Sequence, residues 1–325
     1  IMVEISRAKL RTWSMLGKRG TFGSILTEIA PNYDNVMAIT ADFTKSSGLD
    51  RFSKLYPEKY MTVGIAEQNL IGIASGLASE GYNVFATSFA SFIATRSYEQ
   101  VKIHCGYMKH NIKVVGLASG FGVEQQGNTH YGLDDICLMR AIPNLTIVAP
   151  ADSTEVVKAV EALCEYEGPV YLRLCGERND PMVYKEDYDF QIGKAIQLRE
   201  GGDVTIIATG TMVYQSLQAA KLLAENGIEC SVVNMHTLRP LDDAMIAQTC
   251  KSTKLVVTVE EGFVSGGLGS AVADSVMRQN ICKPMDIIGL TDFPHAGSYK
   301  YMLEQTGLSG ISIAERIKAK LENIK

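Results

Sequence analysis

Short apolar runs rich in β-branched residues recur along this chain, and between them lie stretches whose apolar positions repeat every three to four residues. Continuous apolar runs of this length read as strands covered on both faces, and the intervening period reads as helices. The predicted strands are 35–41, 83–88, 112–117, 145–149 and 170–175, and the predicted helices lie near 67–80, 96–108, 133–140 and 152–166. Such alternation predicts parallel βαβ units with right-handed crossovers. Residues 176–202 break the pattern. There Asn179-Asp180-Pro181, a polar acidic stretch around 185–189 and Gly201-Gly202 read as a linker or domain edge. A second, shorter series follows, with strands at 204–209, 228–234 and 255–260 and helices near 211–226, after Pro240 and from about 267. The pattern predicts an α/β fold of two domains, 1–185 and 186–325, each a mostly parallel sheet flanked by helices.

Length and composition agree with this reading. A chain of 325 residues suffices for two hydrophobic cores, and 46% apolar with 21% charged residues is an ordinary globular balance. With 31 Lys and Arg against 36 Asp and Glu, the net charge of −5 excludes a strongly basic nucleic-acid surface. No apolar run approaches the roughly 18 residues of a membrane helix. Glu4, Arg7 and Lys9 interrupt any secretory apolar segment near the start, so a cytoplasmic protein is expected. Seven cysteines, odd in number and never spaced CxxC, point to neither a disulfide framework nor a zinc site. His104, His110, His236 and His295 read as solvated side chains.

Three segments carry candidate chemistry. Gly64-Ile65-Ala66-Glu67-Gln68-Asn69 joins a strand-like segment, 61–63, to a helix with apolar positions at Leu70, Ile73, Ala74 and Leu77, which puts Glu67 in the first helical turn. An acid there is favoured by the helix dipole alone. About 20 residues on, Phe85, Phe89 and Phe92 cluster at a strand-to-helix junction, and a carboxylate near such a cluster suits a flat nitrogen heterocycle. The third segment, Gly120 to Asp135, is a long glycine-rich loop with His130, placed after the strand that ends at Leu117. In open parallel sheets ligands bind beyond the carboxyl ends of the strands.

Together, in this order and spacing, these segments resemble the pyrimidine-binding domain of thiamine-diphosphate enzymes, most closely transketolase. Residues 191–325 resemble the transketolase C-terminal domain, through Asn234-Met-His-Thr-Leu-Arg239-Pro240-Leu-Asp242 and Glu260-Glu261-Gly262 to Gly266-Gly267-Leu-Gly269-Ser270. The resemblance implies that Glu67 is the carboxyl group that activates the cofactor at its pyrimidine nitrogen, where burial favours holding or sharing a proton. It implies that Phe89 and Phe92 stack on the ring, that Asp42, Phe43 and Ile65 complete the cofactor side, and that His130 in Gly127-Asn128-Thr129-His130 contacts substrate. Thr95, Ala118 and Gln126 stand where relatives often have an aromatic residue, a histidine and an aspartate.

By the same resemblance, sugar phosphate is held by Arg19, Ser46 and one of Arg173 or Arg178, with Arg178 favoured. Arginine suits this role because its planar fork makes paired bonds to phosphate oxygens. The family holds Mg²⁺ and the diphosphate through a Gly-Asp-Gly motif that occurs nowhere in this chain. The resemblance therefore implies the C-terminal subunit of a two-component transketolase that transfers a two-carbon ketol unit between sugar phosphates. An N-terminal partner subunit would carry Gly-Asp-Gly in an α2β2 heterotetramer. The loops at 40–48, 87–96 and 118–132 are expected to expose an apolar, aromatic surface to it. The β subunit of a 2-oxoacid dehydrogenase shares the two-domain plan, but typically has a Gln-His-Ser-Gln type segment where this chain reads Thr129-His130-Tyr131-Gly132. A non-catalytic interaction subunit that keeps only the fold is the remaining alternative; intact Glu67, Phe89, Phe92 and His130 argue against it.

Overall fold

A computed structural model describes residues 3–176 and 178–324. The strands in chain order are β1 (Val36–Thr40), β2 (Tyr60–Thr62), β3 (Asn83–Phe89), β4 (Ile112–Ser119), β5 (Thr146–Val148), β6 (Val170–Cys175), β7 (Ile196–Arg199), β8 (Val204–Ala208), β9 (Cys230–Asn234), β10 (Thr237–Arg239), β11 (Leu255–Phe263) and β12 (Met285–Leu290). They form a seven-stranded sheet in the order β10-β5-β6-β4-β3-β1-β2 and a five-stranded sheet in the order β12-β11-β8-β9-β7. Every pairing is parallel except β10 on β5 and β7 on β9, both at sheet edges. The α/β expectation holds. β1, β3, β4 and β6 are buried along their whole length, as strands covered by helices on both faces must be.

The first sheet is not built from the first half alone. β10 follows β9 in sequence but crosses back to pair with β5, which closes that edge of the first sheet. The apolar pattern also misses the first helix, Arg7–Ile29, for two reasons: its apolar positions are weakly periodic, and Gly17 kinks it at φ +71°. The predicted helix 96–108 is instead Ala90–Thr95, Tyr98–Val101 and a π-helical turn, Lys102–Tyr107. The stretch read as a linker is tied down. Asp152, which caps the helix Ser153–Glu165, also accepts from the backbone N–H groups of Val183 and Tyr184 at 2.6 and 2.8 Å.

Three of the four histidine expectations need correction. His104 and His110 are half-buried and share one hydroxyl, with each Nδ1 at 2.8 and 2.7 Å from Ser75 Oγ. His236 is fully buried, 4.4 Å from the ring of Phe190. Among the described residues no helix is long and apolar enough to cross a membrane.

Candidate functional site

The candidate residues collect at the carboxyl ends of the parallel strands. Asp42 and Phe43 follow β1, Glu67 follows β2, Phe89 ends β3, His130 lies in the loop after β4, and Arg178 follows β6. A parallel sheet aims all its strand ends at one side, so residues over 130 positions apart in sequence share one rim. Asp42 makes its turn in the left-handed region, φ +63°, where Asp is among the few side chains tolerated.

Glu67 is the first residue of the helix Glu67–Ser79, and its carboxylate is 4% exposed. Ser88 Oγ donates to it at 3.4 Å, and the Arg96 guanidinium reaches both oxygens at 3.3 and 3.4 Å. Arg96 also lies over the Phe92 ring, 3.9 Å from its centroid. Phe43 stands 4.3 Å from Phe89, Phe89 stands 5.9 Å from Phe92, and His130 sits edge-on to Phe92 at 5.1 Å. Four of the residues singled out in the sequence thus form one aromatic cluster. Glu67 is tied to its edge through Arg96. Ile65 stands apart from it, 74% exposed on the approach to Glu67.

Beside this cluster runs a cleft of about 770 Å³ lined by Arg19, Lys45, Ser46, Arg51 and Arg178, with no carboxylate among the described residues of its wall. A smaller hollow of about 480 Å³ shares Arg19 and Ser46 with it and reaches Phe89 and Gln126. Burial lowers the Arg19 guanidinium below its usual value, and the neighbouring Arg178 lowers it further. Two like charges held side by side in one cleft favour an anion between them.

Arg173 is not part of it. Its guanidinium is fully buried, donates to Asp135 at 2.8 Å, and donates to the backbone oxygens of Gly132 and Glu261 at 3.1 and 2.8 Å. Strand periodicity cannot show this, because β6 is covered on both faces and every position on it is buried.

Lys18 holds the anion cleft's two arms together. Its ammonium pairs with Asp180 at 2.7 Å, both side chains being essentially unexposed, while Ser14 exchanges two hydrogen bonds with the Asp180 backbone. Burial alone would lower the Lys18 ammonium, but Asp180, with Cys175 and Asp152, outweighs that and raises it above its ordinary value. The pair joins the helix bearing Arg19 to the segment bearing Arg178.

The loops expected to expose an apolar face do not. Residues 87–91 are buried, Phe43 and Phe92 are half-buried, and the large exposed apolar side chains nearby are Met15, Leu16, Met61 and Ile65. The aromatic rings pack on each other, which hides them from solvent. Arg96 was legible only as part of a motif, although, four residues past Phe92, it lies on the same face of the helix that begins at Ala90.

Comparison with known proteins gives the same picture. Models of the transketolase pyrimidine binding domain and of the transketolase C-terminal domain match residues 15–178 and 193–313. Over 94% of the chain, it is 39% identical to a putative transketolase C-terminal section of Methanocaldococcus jannaschii, of which it covers 96%. It is 39% identical to a 6-deoxy-6-sulfo-D-fructose transketolase subunit of a Clostridium species, covering 91% of each chain. To an apulose-4-phosphate transketolase subunit of Phocaeicola vulgatus it is 36% identical, over 91% of this chain and 96% of that one. A solved structure described as a split gene transketolase, inactive beta4 tetramer, superposes with a TM-score of 0.87 at 35% identity, covering 95% of this chain and 99% of its own.

Proposed function

Because the chain belongs to the transketolase family and comprises its pyrimidine-binding and C-terminal domains, we propose that it is the C-terminal component of a two-part transketolase. It would transfer a two-carbon ketol unit between sugar phosphates with thiamine diphosphate. One observation carries the reading: a buried carboxylate, Glu67, beside an aromatic cluster and a histidine on the rim of a parallel sheet, next to a cleft lined by Arg19, Lys45, Arg51 and Arg178. Relatives that the chain covers almost end to end are themselves named as a C-terminal section or as subunits, which supports the two-part arrangement.

The residues fit the cofactor's pyrimidine half. Glu67 offers an oxygen-only partner, buried and already oriented by Ser88 and Arg96, to a ring nitrogen. Phe43, Phe89 and Phe92 offer ring faces and edges, worth about 0.5–1.5 kcal/mol per stacked pair beyond the area they bury. When bound, thiamine diphosphate supplies the carbanion chemistry that breaks and makes the carbon–carbon bond. The chain's own part is to orient and to move protons. Glu67 holds or passes a proton at the pyrimidine nitrogen, Asp42 and Ile65 border that half of the site, and His130 donates to the sugar beside the aromatic cluster. Arg19, Ser46 and Arg178 hold the distal phosphate, and so set the sugar's depth in the cleft.

Mg²⁺ and the diphosphate are assigned to a partner subunit that carries Gly-Asp-Gly; among the described residues no group of three acids, cysteines or histidines is placed to hold a metal. The assembly is read as α2β2 and cytoplasmic. Calorimetry tests this. The isolated chain is expected to bind thiamine diphosphate weakly and without Mg²⁺ dependence, and mixing with the partner should restore Mg²⁺-dependent binding and turnover together. Tight, Mg²⁺-dependent binding by the isolated chain would overturn the two-part reading.

A further inference from the structure

The loop that carries His130 belongs to the first domain in sequence but is built onto the second. Its neck closes where Gly120 N–H donates to the carbonyl of Gly132 at 2.8 Å, which makes residues 120–132 a compact loop with adjacent ends. Phe121, Tyr131 and Leu133 are 0–3% exposed and lie in the core formed by β8, β9 and β11 of the second sheet. Tyr131 is the residue after His130, so the ring that anchors this part of the loop is fixed in the other domain's core.

One side chain meets the start of this loop from the second domain. Glu261, on β11, accepts from the Phe121 backbone N–H at 2.7 Å, from Tyr299 Oη at 2.6 Å and from Thr211 Oγ1. Gly120 has φ +64°, and a Cβ there would lie 2.1 Å from Glu261 Oε1, so only glycine admits the carboxylate against the loop backbone. The Glu261 backbone continues the grip. Its carbonyl accepts from Arg173, which also donates to Gly132, and the next-but-one N–H, of Phe263, donates to Leu133 at 2.8 Å. Tyr299 extends it to the middle of the loop, its backbone N–H donating to Glu124 at 3.1 Å. Asn128 adds a bond to the carbonyl of Pro294 at 2.7 Å. Burial and the Glu261 charge hold the Tyr299 hydroxyl well above its usual range, so it stays a donor.

We propose that Glu261 is a positioning residue for His130: a carboxylate of the second domain that sets the loop presenting the histidine to the aromatic cluster. The inference rests on the proposed role of His130, and gives the second domain a part in the reaction without any contact of its own with substrate. Misplacing a reacting group by about 1 Å can cost on the order of 100-fold in rate.

The test uses Glu261→Ala and Glu261→Gln. The amide keeps one acceptor for Phe121, and the Tyr299 and Thr211 hydroxyls can turn to accept from its NH₂, so Gln should behave nearly as Glu. Hydrogen exchange on the isolated chain is expected to show amides 121–132 opening about tenfold faster in Glu261→Ala, with β3 and β4 unchanged. With the partner subunit added, kcat per folded site should fall at least about tenfold at unchanged cofactor affinity, and Gln should restore it to within about threefold. If the alanine variant does not fold, Tyr299→Phe, which removes one of the three donors and keeps the ring, is expected to show the same two effects at about threefold. Unchanged exchange at 121–132, or faster exchange with unchanged kcat, would overturn the proposal. His130→Ala separates the two readings: if that variant turns over normally, the role given to His130 fails, whereas the exchange result still decides whether Glu261 holds the loop.

Discussion

Replacing Lys18 by methionine should uncouple the two arms of the anion cleft at a calculable cost. The ammonium lies 2.7 Å from Asp180, with side-chain exposures of 1% and 2%, and it is the cation paired with that carboxylate. Methionine matches the length of the stem but leaves Asp180 buried with one side-chain donor, Ser153 Oγ at 2.9 Å. Removing one partner of a buried pair costs about 3–5 kcal/mol, mostly as the penalty of the charge left behind. At about 2–4 °C per kcal/mol for domains of this size, the midpoint of thermal unfolding should drop by about 6–20 °C. The companion variant Lys18→Met/Asp180→Leu removes both charges. It should recover most of the loss, because apolar replacement of a whole buried pair is often neutral. Differential scanning calorimetry of the wild type, both single variants and the double variant closes the cycle, with an expected coupling above about 2 kcal/mol. A Lys18→Met protein within about 1 kcal/mol of wild type, or a double variant no better than the singles, would refute the reasoning.

Three further outcomes are expected. Glu67→Gln in the reconstituted complex should lower kcat at least about 100-fold with the fold intact by circular dichroism, since a well-placed proton-transfer group contributes about 10²–10⁴-fold. Arg19→Ala or Arg178→Ala should each raise KM for phosphorylated sugars by about 1.5–3 kcal/mol, roughly 10- to 150-fold, and leave sugars without phosphate nearly unaffected. Burial pushes Glu260 up to about 7 despite two backbone N–H donors, and burial with nearby Asp180 does the same to Asp152. Both folded values lie above the unfolded ones near 4, so the folded state binds more protons between about pH 4 and 7, and these two groups lose stabilising effect as pH rises through that window. Thermal midpoints of Glu260→Gln should therefore fall less steeply from pH 5 to 8 than those of the wild type.

Much of this protein is written in short-range spacing. Runs such as Val36–Thr40 and Val170–Cys175 read as strands because short, mostly apolar stretches of five or six residues suit a strand covered on both sides. Glu67, Phe89, Phe92 and His130 could be singled out because each lies at a strand end or in the loop that follows one, and strand ends of a parallel sheet face one way. What short-range spacing cannot carry is which distant residues become neighbours. Arg173 falls inside a strand and Arg178 just past it, but only the fold shows that one is sealed against Asp135 in the core and the other lines the cleft. Lys18 and Asp180 are 162 positions apart, and Glu261 and Phe121 are 140 apart. Each of these pairs is unfavourable to bury singly and stable only together, so its place is set by the packing of whole domains, after the local patterns have already made the strands and helices.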